Sequence, residues 1–77
     1  MFRELETVVL NHDLPEYGLV AGDVGAVVHC YPGGSAFEIE FVTAAGETVA
    51  LLTLTSKDMR PLIGREILHV RELALSH

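Results

Sequence analysis

Two neighbouring residues, His29 and Cys30, are the first candidates for nucleophilic or metal chemistry, since they join an imidazole to the only thiol of the chain. Adjacent residues of a strand point to opposite faces, so the two side chains do not share one site. A reactive thiolate also needs an electropositive setting, and no basic residue lies near it in the sequence. We therefore predict that Cys30 is a small core residue and that His29 lies on the exposed face.

Two further pairs bear on acid–base and metal chemistry. His12 next to Asp13 could hold a metal, but no second His or Cys follows at ligand spacing. Glu38 and Glu40 lie two apart on a predicted strand, so their carboxylates share a face. Such a pair can act as acid and base when one member is buried, whereas on an exposed face it solvates the sheet or contacts a partner. We predict no catalytic residue, no metal and no cofactor, and we place Glu38 and Glu40 in a partner-binding surface.

Charge is distributed unevenly along the 77 residues, whose formal net charge is −6. No Lys or Arg occurs from Glu4 to Ser56, and the same stretch holds eight acidic residues. The basic residues lie outside it, at Arg3, Lys57, Arg60, Arg65 and Arg71. Phosphate backbones are bound by Lys and Arg, so the sequence argues against nucleic acid and favours a basic protein partner.

Size and hydropathy limit the fold and its setting. A chain this short forms one domain, and its 49% hydrophobic content is high enough to leave apolar surface for a partner or a second copy. No apolar run approaches the length of a membrane span. Residues 1–6 lack the features of a signal peptide, so we expect a cytoplasmic protein without membrane contact.

Short runs of β-branched and aromatic residues between glycine- and proline-containing turns predict a mainly β fold, a small five-stranded barrel. The strands are expected at 5–10, 24–31, 37–41, 47–54 and 59–62, with one helical turn at 56–58. Gly25 near the start of the second strand indicates a bend or a close backbone approach, as expected where a barrel strand curls. The predicted core consists of Leu10, Val28, Phe37, Ile39, Phe41 and Leu51 or Leu52, covered by Leu14, Tyr17 and Leu19 from the early loop.

Residues 63–77 form a C-terminal extension of the domain at 1–62. Ile63, Ile67 and Val70 have helical spacing, while Leu68 and Val70 also fit a short strand. We favour a helix over 65–73, with 74–77 frayed. The apolar side chains need a surface to pack on, which is either the barrel itself or a partner, giving a dimer in the second case.

Three strings in this order are distinctive: Asp13 to Leu19 (DLPEYGL), Gly22 to Val28 (GDVGAVV) and Phe37 to Val42 (FEIEFV). Together with Gly46-Glu47-Thr48 and the apolar run after it, they resemble a family of small bacterial proteins catalogued only as a domain of unknown function. The resemblance covers residues 5–62 and implies an SH3-like barrel without an assigned reaction. The second string also resembles ribosomal-type SH3-like modules. Those modules are usually basic, whereas this chain is acidic, which argues against a role in RNA binding.

These observations predict a non-enzymatic protein-interaction module that binds a basic partner, such as an antitoxin-like or regulatory subunit. The alternatives are an RNA-associated regulatory module that uses the C-terminal arginines, and a small accessory subunit of an enzyme. The residues expected to contact the partner are Tyr17, Glu38, Glu40, Ile67 and Val70.

Overall fold

The computed structural model describes residues 2–73. It contains five strands, β1 to β5, and one short 3₁₀ turn in the loop after β1. The strands are β1 (Thr7–Leu10), β2 (Val24–Cys30), β3 (Phe37–Val42), β4 (Thr48–Leu54) and β5 (Met59–Pro61), and the 3₁₀ turn is Pro15–Tyr17.

All five strands join in one antiparallel sheet of order β4-β3-β2-β1-β5. The predicted mainly β class with five strands is confirmed. Strands β4 and β5 are the two edges and do not pair with each other in the described chain, so the backbone pairing does not close into the predicted barrel. Register shifts between Val27 and His29 and between Phe41 and Val42 mark irregularities of the β-bulge type, which bend a strand and increase its twist.

The core lies on the inner face of this sheet, and β3 alternates as predicted, with Phe37, Ile39 and Phe41 buried. Leu10 is also buried and Leu52 is half-buried against the core. Val28 is exposed, so its placement in the core was wrong. Of the alternatives Leu51 and Leu52, Leu52 packs against the core and Leu51 is exposed. Val28 lies within the irregularity of β2, where strict alternation fails, and Val27 is buried instead. The buried core residues are Val8, Leu10, Leu19, Val27, Phe37, Ile39, Phe41, Ala50, Leu54 and Met59.

Gly25 lies where β2 crosses closely over the core. A Cβ atom at this position would lie 2.8 Å from Ile39 Cγ2 and 2.8 Å from Phe41 Cε1. Real Cβ atoms do not approach other atoms so closely, so the close packing predicted from the sequence is confirmed and requires glycine.

Several element boundaries differ from the prediction. Strand β1 begins at Thr7 and not at Leu5, because Leu5 has a positive φ of 70° and is exposed. Residues 56–58 form a turn and no helix. That turn is held by Asp58, whose carboxylate accepts hydrogen bonds from Thr55 N at 2.9 Å and Thr55 Oγ1 at 3.1 Å.

The early loop packs on the core through part of its length only. Leu19 is buried and Leu14 is half-buried, and a bridge between these two residues closes the loop. Tyr17 is exposed, so its expected role as core cover was wrong. It ends the 3₁₀ turn at the tip of the loop, and Gly18 with a φ of 72° reverses the chain directly after it.

The C-terminal extension contains no helix within its described part, so the prediction over 65–73 was wrong. Residues 63–73, here called the strap, fold back over the outer face of the sheet. Two guanidinium–carboxylate contacts hold the strap: Arg60 with Glu66, and Arg71 with Asp23. Polar side-chain contacts thus fix a non-helical path that apolar periodicity alone did not indicate. The predicted fraying at 74–77 lies outside the described residues.

Val9 shows what the strap covers. It alternates with Val8 and Leu10, which face the core, so its side chain points to the outer face. It is nevertheless only 4% exposed. Strap residues Ile67 and Leu68 line a small cavity together with Val9. The strap therefore packs at least in part on its own domain, which is one of the two arrangements considered from the sequence.

Candidate functional site

The outer face of β3 carries Glu38 and Glu40 between strands β2 and β4. Glu38 lies opposite His29 on β2 and Thr53 on β4, and Glu40 lies opposite Ala26 and Leu51. Both glutamates are half-buried, since the neighbouring strands flank them on each side. The shared face predicted from their two-residue spacing is confirmed. We call Tyr31, Glu38, Glu40, Thr48 and Thr53 the carboxylate face.

Hydroxyl groups of neighbouring residues orient both carboxylates. Tyr31 Oη donates to Glu38 Oε1 at 3.0 Å, and Thr53 Oγ1 donates to the same oxygen at 2.8 Å. Thr48 Oγ1 donates to Glu40 Oε2 at 2.8 Å. Threonine is β-branched and therefore common in strands. The two threonines of β4 thus fit the strand and also donate hydrogen bonds to the glutamates of β3.

No cation of the described chain pairs with these two glutamates. The ion pairs within residues 2–73 involve Asp23, Asp58 and Glu66. Glu38 Oε2 and Glu40 Oε1 have no hydrogen-bond partner in the same part of the chain. Each carboxylate thus keeps one oxygen for a donor from outside, and a guanidinium or ammonium group is the donor that a carboxylate binds most strongly.

His29 and Cys30 occupy different environments, as predicted. The His29 ring is exposed and packs edge-to-face against Tyr31, with ring centroids 4.7 Å apart. Cys30 packs against the core, and its Sγ lies 3.7 Å from the carbonyl oxygen of Phe2. The two side chains form no common site, and Tyr31 is instead linked on one side to His29 and on the other to Glu38.

His12 takes part in a contact that sequence reasoning missed. Its Nε2 lies 2.8 Å from Asp58 Oδ1, and its Nδ1 lies 3.2 Å from the carbonyl oxygen of Asp13. The hydrogen bond that His12 donates to the Asp58 carboxylate raises the pKa of His12, while the hydrogen bonds that Asp58 accepts from Thr55 and then His12 lower the pKa of Asp58. The partner lies 46 positions away in the chain, so no local spacing could have revealed it.

The strap presents apolar side chains to solvent. Ile67 and Val70 are 90% and 91% exposed. Arg71 anchors this segment through hydrogen bonds to both carboxylate oxygens of Asp23, at 2.8 and 2.6 Å, and to the carbonyl oxygen of Gly18 at 3.0 Å. The Arg71 guanidinium lowers the pKa of Asp23. In the same way, Arg60 lowers the pKa of Glu66 to about 2.

The five residues expected to contact a partner do not form one cluster of direct contacts. Tyr17 precedes Gly18, to which the strap is anchored, so Tyr17 and Val70 belong to one end of the molecule. Glu38 and Glu40 make no hydrogen bond or ion pair with that end within residues 2–73. A cavity of about 340 Å³ lies between the strap and the sheet, lined in part by Leu19, Val24, Phe41, Val42, Val49, Val70 and Leu73.

Two features are absent from residues 2–73. No group of three or more His, Cys, Asp or Glu side chains is arranged to hold a metal ion there. In the same range, no helix has the length and apolar character needed to cross a membrane.

Comparison with known proteins gives one match. A family model described as Domain of unknown function (DUF4926) matches residues 4–61, which contain all five strands and the carboxylate face. The resemblance to a domain of unknown function, inferred from the sequence strings, is thereby confirmed as to the family. No curated protein matches the chain, and no solved structure matches it.

Proposed function

The chain belongs to the DUF4926 family, whose description assigns no function, and we propose that it is a non-enzymatic interaction module that binds a basic protein segment. An antitoxin-like or regulatory subunit is an example of this class. The observation that carries the proposal is the carboxylate face, where Glu38 and Glu40 are oriented by hydroxyl groups but lack a cation.

The orientation of the two glutamates favours a binding role. Fixing a carboxylate before the partner arrives lowers the conformational entropy lost on binding. The two-residue spacing also matches an extended peptide, in which alternate side chains point to one side. A strand-like segment with arginine or lysine at every second position would therefore bring its cations to Glu38 and Glu40.

The rest of the charge distribution supports a basic partner over RNA. The body of the domain has no Lys or Arg from Glu4 to Ser56. Arg60 forms an ion pair with Glu66, and Arg71 forms one with Asp23. In two of the five basic residues the positive charge is therefore neutralised by an adjacent carboxylate and attracts a phosphate group less.

The contacts of the reactive side chains support a non-enzymatic role. Cys30 is half-buried beside a backbone carbonyl, and both ring nitrogens of His12 face oxygen atoms that accept hydrogen bonds. Cys30 Sγ thus has no base beside it, and both nitrogens of the His12 ring are taken up by Asp58 and Asp13, so the His12–Asp58 pair faces no nucleophile among residues 2–73.

A binding experiment tests the carboxylate face with a labelled synthetic peptide of alternating arginine and glycine. The variant Glu38→Gln/Glu40→Gln retains the shape and hydrogen-bond acceptors of both side chains but removes their charge. We expect the dissociation constant, measured by fluorescence anisotropy, to rise roughly tenfold or more, since hydrogen bonds between charged groups are about twice as strong as neutral ones.

The matched control is Glu4→Gln/Glu16→Gln, which removes the same charge from two exposed residues away from the carboxylate face. An equal loss of affinity in both double variants would show attraction by net charge alone and would overturn the proposal. A single-stranded RNA that binds at physiological salt, with affinity lost on Arg65→Ala, would also overturn it and support the RNA-associated alternative.

A further inference from the structure

We infer that β4 is a self-association edge, through which two copies of the chain pair antiparallel about a two-fold axis. Strand β4 lies at one end of the sheet and pairs with β3 only. In an antiparallel strand the backbone groups alternate between the two sides. About half of the N–H and C=O groups of β4 therefore point away from the sheet, and no backbone contact within residues 2–73 covers them.

The side chains of β4 do nothing to protect this edge. Exposed edges are usually blocked by charged residues, proline or a covering segment. Residues Thr48–Leu54 contain no charged residue, no proline and no glycine. Leu51, at the middle of the strand, is 53% exposed. The edge thus combines free backbone groups with an apolar centre.

The opposite edge is protected, which restricts pairing to β4. Strand β5 has three residues and ends at Pro61, which has no N–H to donate. The chain then continues into the strap. Glu66 of the strap accepts hydrogen bonds from the two terminal guanidinium nitrogens of Arg60 in β5, at 2.8 and 2.5 Å. A head-to-tail addition of β4 to β5 would pair with an edge of only three residues, whereas β4 offers seven residues to its own copy.

Charge at the two ends of β4 favours a second copy as the occupant. Glu47 directly precedes the strand and Lys57 lies three positions after it. When two copies pair antiparallel, the start of one strand meets the end of the other, so Glu47 of each copy comes near Lys57 of its partner. Both residues are exposed and neither side chain makes an ion pair within residues 2–73. Because of the two-fold symmetry, this Glu47–Lys57 contact would form twice in each dimer.

The first test measures the mass of the chain by light scattering from micromolar to millimolar concentration. We expect a reversible monomer–dimer equilibrium that Leu51→Lys shifts to monomer, because two lysines then meet near the axis. The matched control is Val42→Lys, which makes the same change at a residue of similar exposure, 52%, on the neighbouring interior strand. It should leave the dimer intact.

The second test exchanges the end charges and does not depend on Leu51. Glu47→Lys and Lys57→Glu should each raise the dimer dissociation constant roughly tenfold, since each places like charges together at both ends. The double variant Glu47→Lys/Lys57→Glu should restore dimerisation. A chain that stays monomeric throughout, or a double variant that fails to recover, overturns the inference. A dimer that survives Leu51→Lys but is lost on deletion of 63–77 also overturns it and assigns association to the strap.

Discussion

At the scale of single residues, Gly25 shows how closely the small core is packed. A methyl group here would meet Ile39 and Phe41 at 2.8 Å each, and Ile39 is completely buried. Overpacking of this kind costs about 1–3 kcal/mol. We therefore expect Gly25→Ala to lower the free energy of unfolding by that amount, measured by urea denaturation.

Gly64→Ala serves as the control for this substitution. A Cβ atom at Gly64 meets no heavy atom within 4 Å, and its φ lies outside the left-handed region. Alanine there should be neutral or stabilise the fold by about 0.4–1 kcal/mol, because it restricts the unfolded chain. Equal destabilisation by both variants would show that the close contact around Gly25 does not limit stability.

His12 makes stability depend on pH with a defined sign. Asp58 raises the pKa of His12 in the folded state above its unfolded value, so the folded state favours the protonated imidazole. The contribution is therefore complete below the unfolded pKa of about 6.5 and is lost as pH rises through the folded pKa. The difference in melting temperature between wild type and His12→Gln should be larger at about pH 5 than at about pH 8. A difference independent of pH would contradict this contact.

At the scale of elements, polar contacts join the strap to the rest of the domain at Arg60–Glu66 and Arg71–Asp23. Arg71→Ala removes the contacts to Asp23 and Gly18. We expect it to speed amide hydrogen exchange across 67–73. Global stability should fall by no more than about 1 kcal/mol, because the Arg71 side chain is 36% exposed and solvent screens the pair.

Arg65→Ala is the matched control for the strap, since it removes the same charge from an exposed residue without an ion pair in the described chain. Exchange at 67–73 should stay unchanged in this variant. If Arg71→Ala behaves like Arg65→Ala, packing over Val9 and not the ion pair holds the strap in place.

At the scale of the whole molecule, stability depends on the inner face of one small sheet. Phe41 is 3% exposed and belongs to this core, and Phe41→Ala should cost about 3–5 kcal/mol. A single core of this size supplies only about 3–5 kcal/mol of net stability, so we expect the variant to be unfolded at room temperature by circular dichroism. Val42→Ala, one residue further on the outer face, should retain a cooperative melting transition.

Much of the fold could be predicted from local pattern. The alternation from Phe37 to Phe41 determines which side of β3 is buried, because residues of a strand point to opposite faces in turn. The same alternation places Glu38 and Glu40 together on the outer face. Gly25 was also recognisable, since glycine in a strand interior marks a bend or a close approach. These features depend on neighbours in sequence, and they are the ones that the structure confirms.

Other features were decided only by contacts between distant parts of the chain. The irregularity after Val27 changes which residue of β2 is buried, and its cause lies in the pairing with β3. The strap follows a non-helical path on which Arg71 binds Asp23, 48 positions away, and helical spacing of apolar residues carries no information about such a partner. The hydroxyl groups that orient Glu38 belong to Tyr31 and Thr53, 7 and 15 positions away. Strand pairing brings them to Glu38, and local pattern does not reveal that pairing. Local sequence therefore determined which segments are strands and which face of β3 is buried, while tertiary contacts decided the buried residues of β2, the path of the strap and the polar network of the carboxylate face.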